Sequence, residues 1–131
     1  MRIAISIDRN AVATVFDFGS KLELIDLDDS GIVNREIVDF DAKLSSLRAA
    51  QLKELFIDTV ICGAISEPVA IMIQHSGIQL VSGITGGIDS VLQAYCSSTL
   101  QDPQYLLPGF AAARGKTTAY DDTRQNSRRK G

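Results

Sequence analysis

The sequence has no tryptophan, one histidine and two cysteines, Cys62 and Cys96, among its 131 residues. Two cysteines do not make a disulfide framework, and neither has a second cysteine nearby, which excludes a zinc or iron–sulfur ligand set of the usual spacing. No apolar run is long enough to span a bilayer, and the first ten residues lack the layout of a secretory signal peptide. These absences predict a cytoplasmic protein with no membrane partner.

The net charge of −3 is unevenly distributed along the chain. Residues 114–131 carry six basic and two acidic residues, a net charge of +4, so the rest of the chain carries −7. An acidic body argues against a nucleic-acid-binding surface on the domain. The chain length fits one domain. We therefore expect a domain over residues 1–110 and a basic, flexible C-terminal tail over residues 111–131.

The hydrophobic pattern predicts an α/β protein. Five strands are expected at residues 2–8, 22–27, 32–40, 59–62 and 78–81, from alternation or from short β-branched runs. Three helices are expected at residues 44–56, between Ser66 and Gly77, and from Ile88 to about Tyr95. The first helix should bury the face that holds Leu44, Leu47, Gln51 and Leu55, with Leu52 and Phe56 adjoining it. Asp41 or Ser45 is the expected cap of this helix, and hydroxyls at Ser66 and Thr85 are expected to cap the other two.

Connection rules arrange these elements into a five-stranded mixed sheet. Short links make the first three strands an antiparallel meander, and right-handed crossovers make the later strands parallel. The expected order is 3-2-1-4-5, with strand 2 antiparallel to the rest and helices on both faces. Three loops then meet at one edge of the sheet: residues 9–20, 63–67 and 83–87. Open α/β sheets bind ligands where the strand order reverses, here at strand 1.

The chemistry of this edge favours an anion. Backbone N–H groups at helix starts point outward there, and the helix dipoles favour negative charge. A hydroxyl at Ser66 or Thr85 can cap a helix and contact an anion at the same time. The sequence alone leaves open the alternative that these turns only connect elements.

Several segments together resemble a known family. They are MRIAISID at the start, FDFGS at 16–20, DTVICGAIS at 58–66, HSGIQLVSGITGGIDSVLQAY at 75–95 and LPGF at 107–110. This ordered series resembles the dinitrogenase iron–molybdenum cofactor biosynthesis domain, which includes nitrogenase cofactor carriers and the small orange protein of sulfate reducers. The resemblance implies a ribonuclease-H-like three-layer fold. It also implies binding, carriage or assembly of an anionic metal–sulfur cluster, with no enzymatic turnover.

The cargo that the resemblance implies is an iron–molybdenum cofactor precursor or a molybdenum–copper sulfide cluster, passed to or from a donor or acceptor protein. We expect backbone amides of two of the loops to supply the positive field, while the 9–20 loop closes over the guest. The candidate cluster-binding residues are Asn10, Asp17, Phe18, Gly19, Gly63, Ala64, Ile65, Ser66, Thr85 and Gly86.

The sequence departs from the family at two places. Many members have a histidine directly before the Phe-Gly of the first loop, and this chain has Asp17. A carboxylate is a hard, negative ligand and suits a sulfide-rich anion poorly. The turn at residues 63–66 reads Gly-Ala-Ile-Ser, where the family often has Gly-Gly-Ile-Gly. A divergent regulatory or partner-binding domain without a cluster is therefore the alternative function.

Four other residues have competing interpretations. His75 is expected on the surface near a helix C-terminus, and Met72 in the core. Cys62 is expected to be a buried structural thiol, although a soft thiolate ligand to a metal remains open. Asp8 ends the first strand, where a nuclease on a ribonuclease-H-like sheet would need a carboxylate. A two-metal nuclease needs several convergent carboxylates, so a metal-dependent hydrolase is the least favoured function.

Overall fold

Three isoleucines at alternate positions make residues 2–8 the central strand of a mixed sheet. The computed structural model describes residues 1–40 and 45–107. The strands are β1 (Arg2–Asp8), β2 (Ala11–Val12), β3 (Lys21–Asp28), β4 (Gly31–Asp39), β5 (Thr59–Ile61) and β6 (Gln79–Val81). The helices are α1 (Ser45–Glu54), α2 (Glu67–His75) and α3 (Ile88–Cys96), with 3-10 turns at Phe16–Phe18 and Pro103–Tyr105.

The strand order is β4-β3-β1-β5-β6, which confirms the predicted order of the long strands. β3 runs antiparallel to β1 and β4, whereas β5 runs parallel to β1 and β6. The predicted count of five strands is wrong, because the sheet has a sixth strand, β2, which pairs with the end of β1. A two-residue turn at Arg9 and Asn10 joins them, so the 9–20 segment begins as a hairpin and is not a plain loop.

Helices cover both faces of the sheet, as predicted. On one face α3 packs against β1, and the buried cluster there includes Ile5, Ile61 and Leu92. On the other face α1 and α2 cover a second cluster, which includes Leu24, Leu52 and Ile73. Because both faces of β1 and β5 are covered, residues on both faces of these strands are buried, including the polar Ser6 and Thr59.

The buried face of α1 differs from the prediction. Leu47 is 53% exposed, whereas Arg48, Ala49 and Leu52 are buried. The predicted face is therefore displaced by about one residue, or 100° around the helix axis. The face is displaced because the arginine at position 48 is buried, where its guanidinium donates to backbone carbonyl oxygens. Ser45 lies within α1 and so is not its cap.

Some sequence predictions concern parts of the chain outside the described residues. These are the alternative cap at Asp41, the end of the LPGF segment and the basic tail at residues 111–131. No described helix has the length and apolar character that crossing a membrane requires.

Candidate functional site

Backbone hydrogen bonds join the three predicted loops at the carboxyl ends of β1, β5 and β6. The Val12 N–H donates to the Gly86 carbonyl at 3.0 Å, and the Phe16 N–H donates to the Ala64 carbonyl at 2.7 Å. The Gly83 N–H donates to the carbonyl of Gly63, at 2.8 Å. We call residues 10–19, 63–67 and 83–87 the rim. The expectation that these loops meet at one edge is confirmed.

Many of the rim N–H groups are used inside the protein. The Ala64 N–H donates to the Thr14 carbonyl at 2.8 Å, and the Thr85 N–H donates to the Tyr105 carbonyl at 2.8 Å. The Ile88 N–H, at the start of α3, donates to the carbonyl of Asn10 at 2.9 Å. These bonds fix the rim and remove donors that a guest could use.

Some donors of the rim remain open, and two of them lie where α3 begins. Among residues 1–40 and 45–107 no acceptor is in hydrogen-bond range of the N–H groups of Ile65, Gly86 and Gly87. Gly86 has a φ of +128°, a conformation that glycine adopts without strain. Gly87 is the N-cap residue of α3, so Thr85 does not cap this helix as predicted. The N-terminus of α3 therefore presents two open amides, and its first turn also carries Asp89, whose carboxylate binds Arg35 at 3.0 Å.

The N-terminus of α2 already holds a negative charge from the protein itself. The Asp17 carboxylate accepts the Ser66 N–H at 2.9 Å and the Ser66 hydroxyl at 2.5 Å. Ser66 is the N-cap residue of α2, but its hydroxyl does not cap the helix, contrary to prediction. Glu67 adds a second carboxylate in the first turn. Asp17 thus occupies the place where a bound anion would neutralise the α2 dipole.

The two aromatic residues of the 3-10 turn have different surroundings. Phe16 is fully buried and its ring lies 5.5 Å from that of Phe40. Phe18 is 86% exposed on the same turn. Phe16 therefore anchors the turn to the core, and Phe18 presents an apolar side chain to solvent at the mouth of the rim.

A buried arginine that the sequence analysis missed binds the backbone of the 3-10 turn. Arg48 of α1 is 7% exposed and donates to the carbonyl oxygens of Phe16 at 3.3 Å and Gly19 at 3.1 Å. Its guanidinium lies 4.8 Å from the ring centroid of Phe40. Its position in the sequence, four residues before the buried Leu52, was the available indication that it faces the core.

The Cys62 thiol is fully buried beneath the rim. Desolvation, and then the negative charge of Asp17, raise the pKa of this thiol to about 12. Because the thiolate is the form that binds metals, Cys62 is a protonated core residue at neutral pH. We expect a disulfide reagent such as DTNB at pH 8 to modify one thiol per folded chain, the exposed Cys96, and two thiols in urea. Equal rates for both thiols in the folded protein would contradict this burial.

The other residues singled out in the sequence do not form a catalytic or metal-binding group. His75 is exposed in the last turn of α2, as expected, whereas Met72 is 38% exposed and not a core residue. Asp8 is exposed at the end of β1, but Asp26 lies toward the opposite end of β3, where its carboxylate binds Arg2 at 2.8 Å. Among the residues that the structure describes, no group of three or more His, Cys, Asp and Glu side chains could hold a metal ion.

Comparisons with known proteins agree with this architecture. The family model described as dinitrogenase iron–molybdenum cofactor matches residues 1–98. The crystal structure of a protein designated PH0822 has a TM-score of 0.70 and 21% identity, covering 75% of this chain and 90% of that one. No curated protein matches the chain.

Two further solved structures carry related descriptions. The crystal structure of a candidate dinitrogenase from Methanocaldococcus jannaschii has a TM-score of 0.64 and 16% identity, covering 76% of this chain and 90% of that one. The NMR structure of a candidate NifB protein from Thermotoga has a TM-score of 0.59 and 16% identity, covering 75% and 89%. At these identities the likeness shows a shared fold.

Proposed function

The chain belongs to the dinitrogenase iron–molybdenum cofactor family, and on this premise we propose that it binds, carries or helps to assemble an anionic metal–sulfur cluster at the rim. The cargo is an iron–molybdenum cofactor precursor or a molybdenum-containing sulfide cluster. The role is binding without turnover. A donor or acceptor protein in the cytoplasm supplies the cluster or receives it. The proposed domain is residues 1–110, with a ribonuclease-H-like fold.

One observation carries the proposal: the N–H groups of Gly86 and Gly87 at the start of α3, and that of Ile65 on the neighbouring loop, have no acceptor within the described part of the chain. Sulfide and oxide ligands of a cluster accept hydrogen bonds, and a helix N-terminus favours their negative charge. Cys62 is buried and protonated, so we infer that the guest is held without covalent bonds to the protein. The exposed ring of Phe18 would then shield one side of the guest from water.

Asp17 sets the strength of this binding. Its carboxylate lies at the N-terminus of α2, within the same rim, and it repels a second anion. We therefore propose weak binding in the native chain. The same observation favours the second candidate function, a regulatory or partner-binding domain that holds no cluster. A metal-dependent hydrolase has less support, because the carboxylates Asp8 and Asp26 do not converge.

Replacing Asp17 by asparagine is expected to increase retention of the anion tetrathiomolybdate. The amide can still accept a bond from Ser66, but the unit charge is lost, and one pair of unit charges at 4 Å is worth about 1–4 kcal/mol near a protein surface. We expect the variant to bind about tenfold more tightly than the native chain. The measurement is gel filtration without air after incubation with tetrathiomolybdate and copper, followed by metal analysis of the protein peak.

The matched control is Asp29→Asn, which removes one exposed carboxylate from the β3–β4 turn at the opposite edge of the sheet. It should bind like the native chain. Asp17→His tests the loss of a ligand separately, since histidine adds a soft donor as well as removing the charge. If the native chain and all three variants retain no molybdenum, the cluster proposal is wrong and the partner-binding candidate takes its place.

A further inference from the structure

The outer edge of β4 is a long strand surface that neither the core nor the rim uses. β4 is the last strand on its side of the sheet, and its nine residues are exposed along almost their whole length. Ile37 is 59% exposed and Val33 is 56% exposed. In the described part of the chain no strand pairs with this edge. Protected edge strands usually carry charged side chains, above all lysine, or proline; β4 has Arg35, Glu36 and Asp39 but no lysine or proline.

We propose that β4 pairs antiparallel with β4 of a second copy of this chain, about a two-fold axis at Ile37. The axis places Ile37 opposite its own copy and Arg35 opposite the partner's Asp39. These three residues alternate along the strand and so lie on one face of the sheet. A two-fold interface uses the same surface twice, and this pairing gives two arginine–aspartate pairs on either side of an apolar contact.

Charge complementarity selects the second copy and this register. The Arg35 guanidinium binds the carboxylate of Glu23 on β3 at 2.6 Å and that of Asp89 on α3 at 3.0 Å. These two contacts fix its position on the α3 face of β4. Asp39 binds Lys21 at 2.8 Å. This exposed ion pair contributes little to stability, and the Asp39 carboxylate can also accept a bond from the partner's Arg35. The pairing thus places a positioned cation against an accessible carboxylate at both ends.

A competing symmetric register, centred on Arg35, is unfavourable. It would bring more apolar residues together, because Val33 would then face Ile37 of the second copy. It would also place Arg35 directly opposite its own copy, and like charges in directly opposed positions destabilise a strand pair. Because Glu23 holds the guanidinium in place, Arg35 cannot move away to relieve this repulsion.

Sedimentation equilibrium of the full chain over a concentration series tests the pairing. A five-residue ladder makes a small interface, so we expect a reversible dimer with a dissociation constant of about 10–100 µM. Ile37→Lys should raise this constant about tenfold or more, because it places two ammonium groups at the axis. The matched control is Ile71→Lys, the same change at an isoleucine of α2 that is 44% exposed, and it should leave the constant unchanged.

A charge exchange tests the register. Asp39→Arg places like charges opposite each other and should weaken the dimer, whereas the double variant Arg35→Asp with Asp39→Arg restores opposite pairs and should recover native affinity within about threefold. Circular dichroism of dilute samples verifies that each variant is folded. A monomer at every concentration, an equal effect of Ile37→Lys and Ile71→Lys, or a double variant as weak as Asp39→Arg alone would overturn the proposal.

Discussion

Replacing Gly63 by alanine is expected to lower the free energy of unfolding by about 1–3 kcal/mol, and to open the rim. A Cβ at this position would lie 2.5 Å from the carbonyl oxygen of Ala13 and closer still to that of Thr14. Both obstacles are backbone atoms, so no side-chain rotation relieves the clash. The strand end and the 9–20 segment must therefore separate, and the bonds between Thr14, Phe16 and Ala64 must weaken.

Urea unfolding followed by circular dichroism measures this loss. The matched control is Gly87→Ala, a change of the same kind at the same rim. A Cβ there would meet only the carbonyl oxygen of Asn10, at 3.8 Å, and the backbone φ is −67°. Its cost should stay below about 1 kcal/mol, the amount expected for a poorer N-cap. Equal costs for the two variants would show that the close packing of Gly63 does not hold the rim together.

The order of the long strands could be predicted because it depends on connection lengths and handedness, which the sequence displays directly. A short Asp-Asp-Ser-Gly link requires an antiparallel neighbour, and a helix between strands requires a parallel one. β2 could not be predicted, because two residues have no period. Only its two residue pairs with β1 define it, Val12 with Ile7 and Ala11 with Asp8, and this pairing depends on the turn at Arg9, where a non-glycine residue has a φ of +60°.

The place of the candidate site could likewise be predicted, but its electrostatics could not. Parallel strands bring their following turns to one edge whatever their sequence, so the convergence of the loops followed from topology. The hydrogen bonds between Asp17 and Ser66 join residues 49 positions apart. They form only because the 3-10 turn places the Asp17 carboxylate next to the start of α2. From the sequence, Asp17 is a hard, negative residue in the place of a histidine ligand. The structure shows that it is also the internal anion of α2.

Replacing Arg48 by alanine is expected to lower the free energy of unfolding by about 2–4 kcal/mol, since it removes two bonds from a charged donor and the contacts with two aromatic rings. The carbonyl oxygens of Phe16 and Gly19 lose the guanidinium donor beneath them, and the ring of Phe40 loses the cation 4.8 Å from its centroid. Thermal or urea unfolding measures the loss.

The controls separate the contacts of Arg48 from its charge. Lys53→Ala removes an exposed cation from the same helix and should change stability by less than about 0.5 kcal/mol. Arg48→Lys keeps the positive charge near the rings but lacks the planar guanidinium that reaches both carbonyl oxygens. Its loss of stability should therefore lie between those of Lys53→Ala and Arg48→Ala. Phe16 of the 3-10 turn and Cys62 belong to the same buried cluster, so Arg48→Ala should let DTNB reach this thiol in the folded protein at a measurable rate. Stability loss without faster modification of Cys62 would mean that Arg48 supports α1 and not the turn that presents Asp17.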